Sequence, residues 1–142
     1  MSEPMTPLTP EAETIREAYA ALNRHDVGGF IAAFDSQIVR VEFEGSPHEG
    51  TFRGIEAVRE HVEKGRGTWA EGGCEPERFI VAGDRIIVAV HVRVRVKGEA
   101  AWREGYIGDV YTFRGGKVIE FRSFFEVEQA LKWAGWTGPE AS

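Results

Sequence analysis

Asp109 stands in the middle of "GYIGDVYTF", a run that reads as a β-strand, and an acid at a strand centre is either on a wet face or held in a pocket. Its own parity is apolar: Ile107, Tyr111 and Phe113 flank it, and Gly105 leaves room for a ligand. In a dry pocket the carboxyl would keep its proton near neutral pH, which needs a pKa raised by several units at about 1.36 kcal/mol each. The other reading is an ordinary carboxylate, hydrogen-bonded to a helix residue or to water. A second acid, Glu42, lies in "VRVEFE", where Val39, Val41 and Phe43 form the apolar parity, so alternation by itself turns Glu42 to solvent. His61 follows Val58 by three on the inward side of a helix and reads either as a polar pocket wall or as a core histidine.

Little else in the chain offers chemistry. No His, Cys, Asp or Glu spacing matches a metal site, and no cofactor is expected. The single cysteine, Cys74, excludes an internal disulfide and has no neighbour that would lower its pKa. His25 and His91 read as surface, and Trp69, Trp133 and Trp136 as lids and packing. There is no Gly-rich phosphate loop and no GxSxG elbow.

The elements that must position these acids are well marked. Thr9, Pro10, Glu11 and Glu13 start a helix whose buried stripe is Ile15, Ala18, Tyr19 and Leu22. Asp26 starts a shorter one with Val27, Phe30, Ile31 and Phe34, and Ile55, Val58 and Val62 mark a third that "KGRG" ends. Residues 38 to 44 are β-rich, and "GSPHEGTFRG" is a loop with a short strand near Thr51. Strands follow at about 76 to 82, 85 to 97, 101 to 114 and 117 to 125, with tight turns at Gly83-Asp84 and Gly115-Gly116, before a last helical stretch, "VEQALKWAG". Helices ahead of a run of hairpins predict an α+β fold in which a curved antiparallel sheet wraps an N-terminal helical layer. The chain forms one domain over residues 1 to 142, with a core from about 11 to 136.

Along the second of these strands Ile86, Val88, Val90, Val92, Val94 and Val96 share one face, which belongs against the helices. Trp102, Tyr106, Val110 and Phe124 would then be largely wet, which predicts a homodimer packed through the outer face of the sheet with Arg93 and Arg95 at its rim. The alternative is a solvated sheet with scattered aromatics. Composition agrees with an ordinary soluble protein: 42% hydrophobic, 28% charged, net charge −6. The negative balance argues against nucleic acid as a partner, no apolar run is long enough for a membrane span, and the N-terminus lacks a secretory pattern, so the expected location is the cytoplasm.

Three stretches, "AYAALNRHDVGGFIAAF", "VEFEGSPHEGTFRGIEAVREHV" and "DVYTFRGGKVIEFRSFFE", resemble the nuclear-transport-factor-2-like superfamily, and within it the ketosteroid isomerase and SnoaL-like polyketide cyclase group. The resemblance spans about residues 13 to 133 and implies the cone-shaped NTF2-like, or cystatin-like, sheet. It places the family's catalytic base at Glu42, inside the pocket, against the alternation. It places the oxyanion-holding carboxyl, kept neutral, at Asp109. The family's oxyanion tyrosine falls on Ala18, with Tyr19 one residue along and about 100° further round the helix; the tyrosine that supports it falls on Val62. A related epoxide-hydrolase branch needs an acid where this chain has Ser123.

Two functions follow as expectations. In the first, a cofactor-independent isomerase or cyclase acts on a small apolar carbonyl compound, with Glu42 taking a proton and Asp109 holding the enolate. The second is a non-catalytic domain whose cavity, built by Val90, Val92, Val94, Tyr111, Phe121 and Phe125, holds an apolar metabolite that Asp109 orients. Tyr19, His61 and Ser123 complete the set of substrate-binding candidates.

Overall fold

The computed structural model describes residues 9–43, 45–46 and 49–136. Glu44, at the end of the expected β-rich stretch, and Pro47 and His48 of the expected loop fall outside the described residues. Helix α1 (Pro10–Asn23) begins where Thr9 accepts a hydrogen bond from the Ala12 N–H, and α2 (Val27–Phe30) where Asp26 accepts one from Gly29. Strands β1 (Phe34–Glu42) and β2 (Gly50–Arg53) lead into α3 (Ile55–Arg66). The long strands β3 (Trp69–Ala82), β4 (Arg85–Val96), β5 (Arg103–Arg114) and β6 (Lys117–Phe124) follow, and α4 (Val127–Trp133) closes the order.

The six strands form one curved, unclosed sheet in the order β2-β1-β6-β5-β4-β3. Every pairing is antiparallel except β1 with β6, which run parallel and set Arg40 opposite Phe121. The α+β reading of the sequence therefore holds. The start of β3 differs, because Gly72, Gly73 and Pro76 look like breakers in the sequence. As an edge strand β3 tolerates them: Gly72 and Gly73 pair in register with Val94 and Arg93, and the register shifts just after Pro76, as it also does between Trp69 and Glu71. At Gly72, with φ of +99°, any Cβ would lie 2.0 Å from the Arg93 carbonyl oxygen.

One main cluster occupies the concave face: Ile15, Ala18 and Tyr19 of α1, Phe30 of α2, and Val58 and Val62 of α3 meet Ile86, Val88 and Val90 of β4, Tyr111 and Phe113 of β5, and Phe121 of β6. A smaller cluster forms behind the sheet, where α4 lays Ala130, Leu131 and Ala134 over Ile87 and Val110. This corrects the expected wet outer face. Val110 is only 1% exposed, and Phe124 is half-buried against Trp133. Trp102 and Tyr106 do remain exposed, the first beneath the Arg93 guanidinium and the second stacked on His91.

Candidate functional site

A cavity of about 260 Å³ opens between the helical layer and the sheet. Its apolar wall comes from Leu22 of α1, Phe30 of α2, Val62 of α3, Val92 of β4, Ile107 of β5 and Phe121 of β6. An apolar cavity of about 150 Å³ holds benzene, so this one suits a ligand of one or two rings. Apart from Ser46 and from Arg66, which donates to the Leu22 and Asn23 carbonyls, its polar side chains gather in two sets, one around each acid.

Asp109 lies in mid-β5, opposite Ser123 of β6, and is 3% exposed. Ser123 Oγ donates to its Oδ1 at 2.6 Å, and the Tyr19 hydroxyl donates to Oδ2. Tyr111, one step further back, donates to the Tyr19 hydroxyl at 2.8 Å, so three hydroxyls are tied to one buried carboxyl. Burial pushes Asp109 up, the bonds from Ser123 and Tyr19 pull it partway back, and its pKa settles at about 6. That is well above an ordinary aspartate. It falls short of the carboxyl kept neutral at pH 7 that the resemblance implies. Burial and the adjacent Asp109 raise both tyrosines, so they stay protonated as donors.

Glu42 also lines the cavity, with its side chain 10% exposed. Here the alternation misleads, and the facing implied by the resemblance is the one found. Ile38, Arg40 and Glu42 share the inner face of β1, while Val39 and Val41 turn to the half-buried outer side. Arg40 Nε and Nη2 both donate to Glu42 Oε2, at 3.0 and 2.7 Å, and His61 Nε2 lies 3.0 Å from the same oxygen. Burial alone would raise Glu42, but the charge of Arg40 and the bonds from His61 and Arg40 outweigh it and hold the carboxyl at about 2. A base at neutral pH works best with a pKa near 7, so this is not the setting of one.

Tyr19, His61, Val92, Phe121 and Ser123 border the cavity together with the two acids. Four other candidates do not. Val90 and Val94 are packed in the sheet's buried face, and Tyr111 stands behind Tyr19. Phe125 is 64% exposed because β6 ends at Phe124; the alternation it shared with Phe121 and Ser123 stops one residue short, leaving its ring edge-on to Phe43. Arg40 was missed by sequence reasoning. The signal for it was period two: once Glu42 faces inward, the residue two before it must do so as well. Cys74 borders the cavity too, with its thiol pushed up to about 12 by burial and by Asp109. Among the described residues no group of His, Cys, Asp and Glu could hold a metal ion, and no helix is long and apolar enough to cross a membrane.

The fold is shared with many solved proteins. An NTF2-like protein of unknown function from Burkholderia pseudomallei is 25% identical, with a TM-score of 0.75 over 90% of this chain and 99% of that one. TerC, co-crystallised with polyporic acid, is 21% identical, with a TM-score of 0.73 over 89% and 98%. A protein from Catenulispora acidiphila with a ketosteroid isomerase-like fold, in complex with trimethylamine, is 16% identical, with a TM-score of 0.72 over 92% and 100%. No curated protein matches the sequence significantly. The profile of the SnoaL-like domain matches residues 15–121, and the chain belongs to that family, within the NTF2-like superfamily.

Proposed function

We propose that this chain binds a small, largely apolar carbonyl compound and moves a proton on the carbon beside the carbonyl, with Asp109 as the acid-base group. The observation that carries this reading is a buried carboxyl with a pKa of about 6 on the wall of an apolar cavity. A positioned base with such a pKa is mostly ionised at pH 7 and contributes about 10²- to 10⁴-fold to the rate. Ser123 and Tyr19 occupy one acceptor site on each carboxylate oxygen, and each oxygen keeps another lone pair for the substrate proton. In the step, the C–H bond breaks, the proton passes to Asp109, and the electron pair moves onto the carbonyl oxygen as an enolate. Return of the proton to a different carbon gives isomerisation, and attack of the enolate on a second carbonyl gives cyclisation. Glu42, held at about 2, is assigned the task of fixing Arg40 in place of the base role implied by the resemblance. The fold shared with TerC, which was co-crystallised with polyporic acid, supports a small-molecule cavity here.

The test is hydrogen–deuterium exchange at the carbon next to the carbonyl of 2-tetralone, a two-ring ketone, followed by NMR in D2O. Asp109→Asn is expected to lose about 10²- to 10⁴-fold in catalysed exchange, whereas Glu42→Gln loses far less. Equal exchange in wild type and Asp109→Asn would refute the assignment. A second reading, a binding domain without catalysis, is favoured by the engagement of both Asp109 oxygens by protein hydroxyls. Under it, 2-tetralone binds and exchanges no faster than in buffer.

A further inference from the structure

Arg40 carries a hydrogen-bonding edge that the protein leaves unused. Nε and Nη2 are spent on Glu42, whereas Nη1 is buried and meets no acceptor among the described residues. A guanidinium cannot shed its charge, and a buried charged donor without a partner is costly. The nearby anion is not that acceptor: Asp109 feels the Arg40 charge but makes no hydrogen bond to Nη1. Arg122 Nε is likewise unpaired, but that side chain packs over Trp133 on the outer side of the sheet. Arg40, by contrast, borders the cavity.

Its orientation is fixed from two directions. The guanidinium lies 4.1 Å over the Phe121 ring, which in turn stacks on Tyr111 at 4.5 Å, and Glu42 grips one edge of the fork. The remaining edge is thus held in place before any ligand enters, as a pre-set donor should be.

We infer that Arg40 Nη1 holds the substrate's oxygen, and that the substrate is a one- or two-ring compound whose oxygen bears negative charge during the reaction, an enolisable dicarbonyl or a phenol-like enol. The inference deepens the proton-transfer reading and rests on it for the reacting carbon, though the oxygen-binding role stands by itself. Charge balance supports it. When the substrate proton passes to Asp109, one negative charge leaves that carboxylate and appears on the substrate oxygen, so the cavity's net charge does not change.

The experiment uses 4-nitrophenol and the full chain, one pH unit below the probe's own titration midpoint, where the free probe is mostly neutral and its phenolate absorbs separately. Wild type is expected to bind it as the phenolate. Arg40→Lys keeps the charge but loses the second edge of the fork, and is expected to bind phenolate about ten- to a hundredfold more weakly. If that variant does not fold, Arg40→Gln combined with Glu42→Gln removes both buried charges together and is expected to show the same loss. Binding as the neutral phenol, equal phenolate affinity in the variant, or no binding to wild type overturns the inference. Asp109→Asn separates the two claims. If it retains phenolate binding and also exchanges 2-tetralone like wild type, the base assignment fails while the role of Arg40 survives.

Discussion

Replacing Ser123 with alanine removes one hydroxyl and no packing carbon, and it reports directly on the balance that sets Asp109. The 2.6 Å bond from Ser123 Oγ favours the ionised carboxyl, against burial, which favours the neutral one. A hydrogen bond to a charged group is worth about 1.5–3 kcal/mol, and each pH unit corresponds to about 1.36 kcal/mol, so the midpoint of Asp109 should climb by about one to two units from its value of about 6. Carboxyl ¹³C NMR on aspartate-labelled protein follows it. The same change has a stability signature. Asp109 titrates near 6 when folded against 3.8 as a free side chain, so its contribution is full below about 4 and is lost as pH rises through 6, a difference of about 3 kcal/mol. In Ser123→Ala the loss should continue to pH 7 or 8, which denaturant midpoints taken at several pH values would trace. An Asp109 midpoint that stays put or falls in the variant would refute the reasoning, because the hydroxyl would then not be supporting the anion.

Glu42 should show the opposite pH signature: with its carboxyl held near 2 against an ordinary 4.5, its stabilisation is present above 4.5 and disappears as pH falls toward 2, which acid denaturation measures. Glu42→Ala leaves the Arg40 charge buried without its partner and should cost about 3–5 kcal/mol in chemical denaturation. Cys74, at about 12, should be alkylated by iodoacetamide at pH 8 about a thousandfold more slowly in the folded protein than in urea, where an ordinary thiol is partly ionised.

Elements governed by local chemistry were legible in the sequence. Thr9 and Asp26 cap the helices expected of them, the valines of β4 face the concave side, and Gly115-Gly116 forms the β5–β6 turn. Legibility failed where a polar residue faces inward. Arg40 and Glu42 alternate with valines in the manner of a surface strand, and only the cavity explains why the charged side is the buried one. The outer face was misread because α4 lies far along the chain from Val110, and contact between them is a tertiary fact that no local pattern carries. Phe125 was misplaced by a single residue, since alternation does not say where a strand stops. The tyrosine is offset by one residue from the family position, yet its hydroxyl reaches Asp109, a contact that the sequence offset does not foretell.

The parallel seam between β1 and β6 has a consequence for how this chamber can change. The backbone ladder sets Arg40 beside Phe121 and, through β5, sets Asp109 beside Ser123. Spacing between the cationic and acidic halves is therefore written into main-chain geometry, whereas Leu22, Phe30, Val62 and Val92, which shape much of the rest of the hollow, come from α1, α2, α3 and β4. Those can be traded for larger or smaller ones without shifting the reactive pair, so a new guest would demand fresh wallpaper and no new framework.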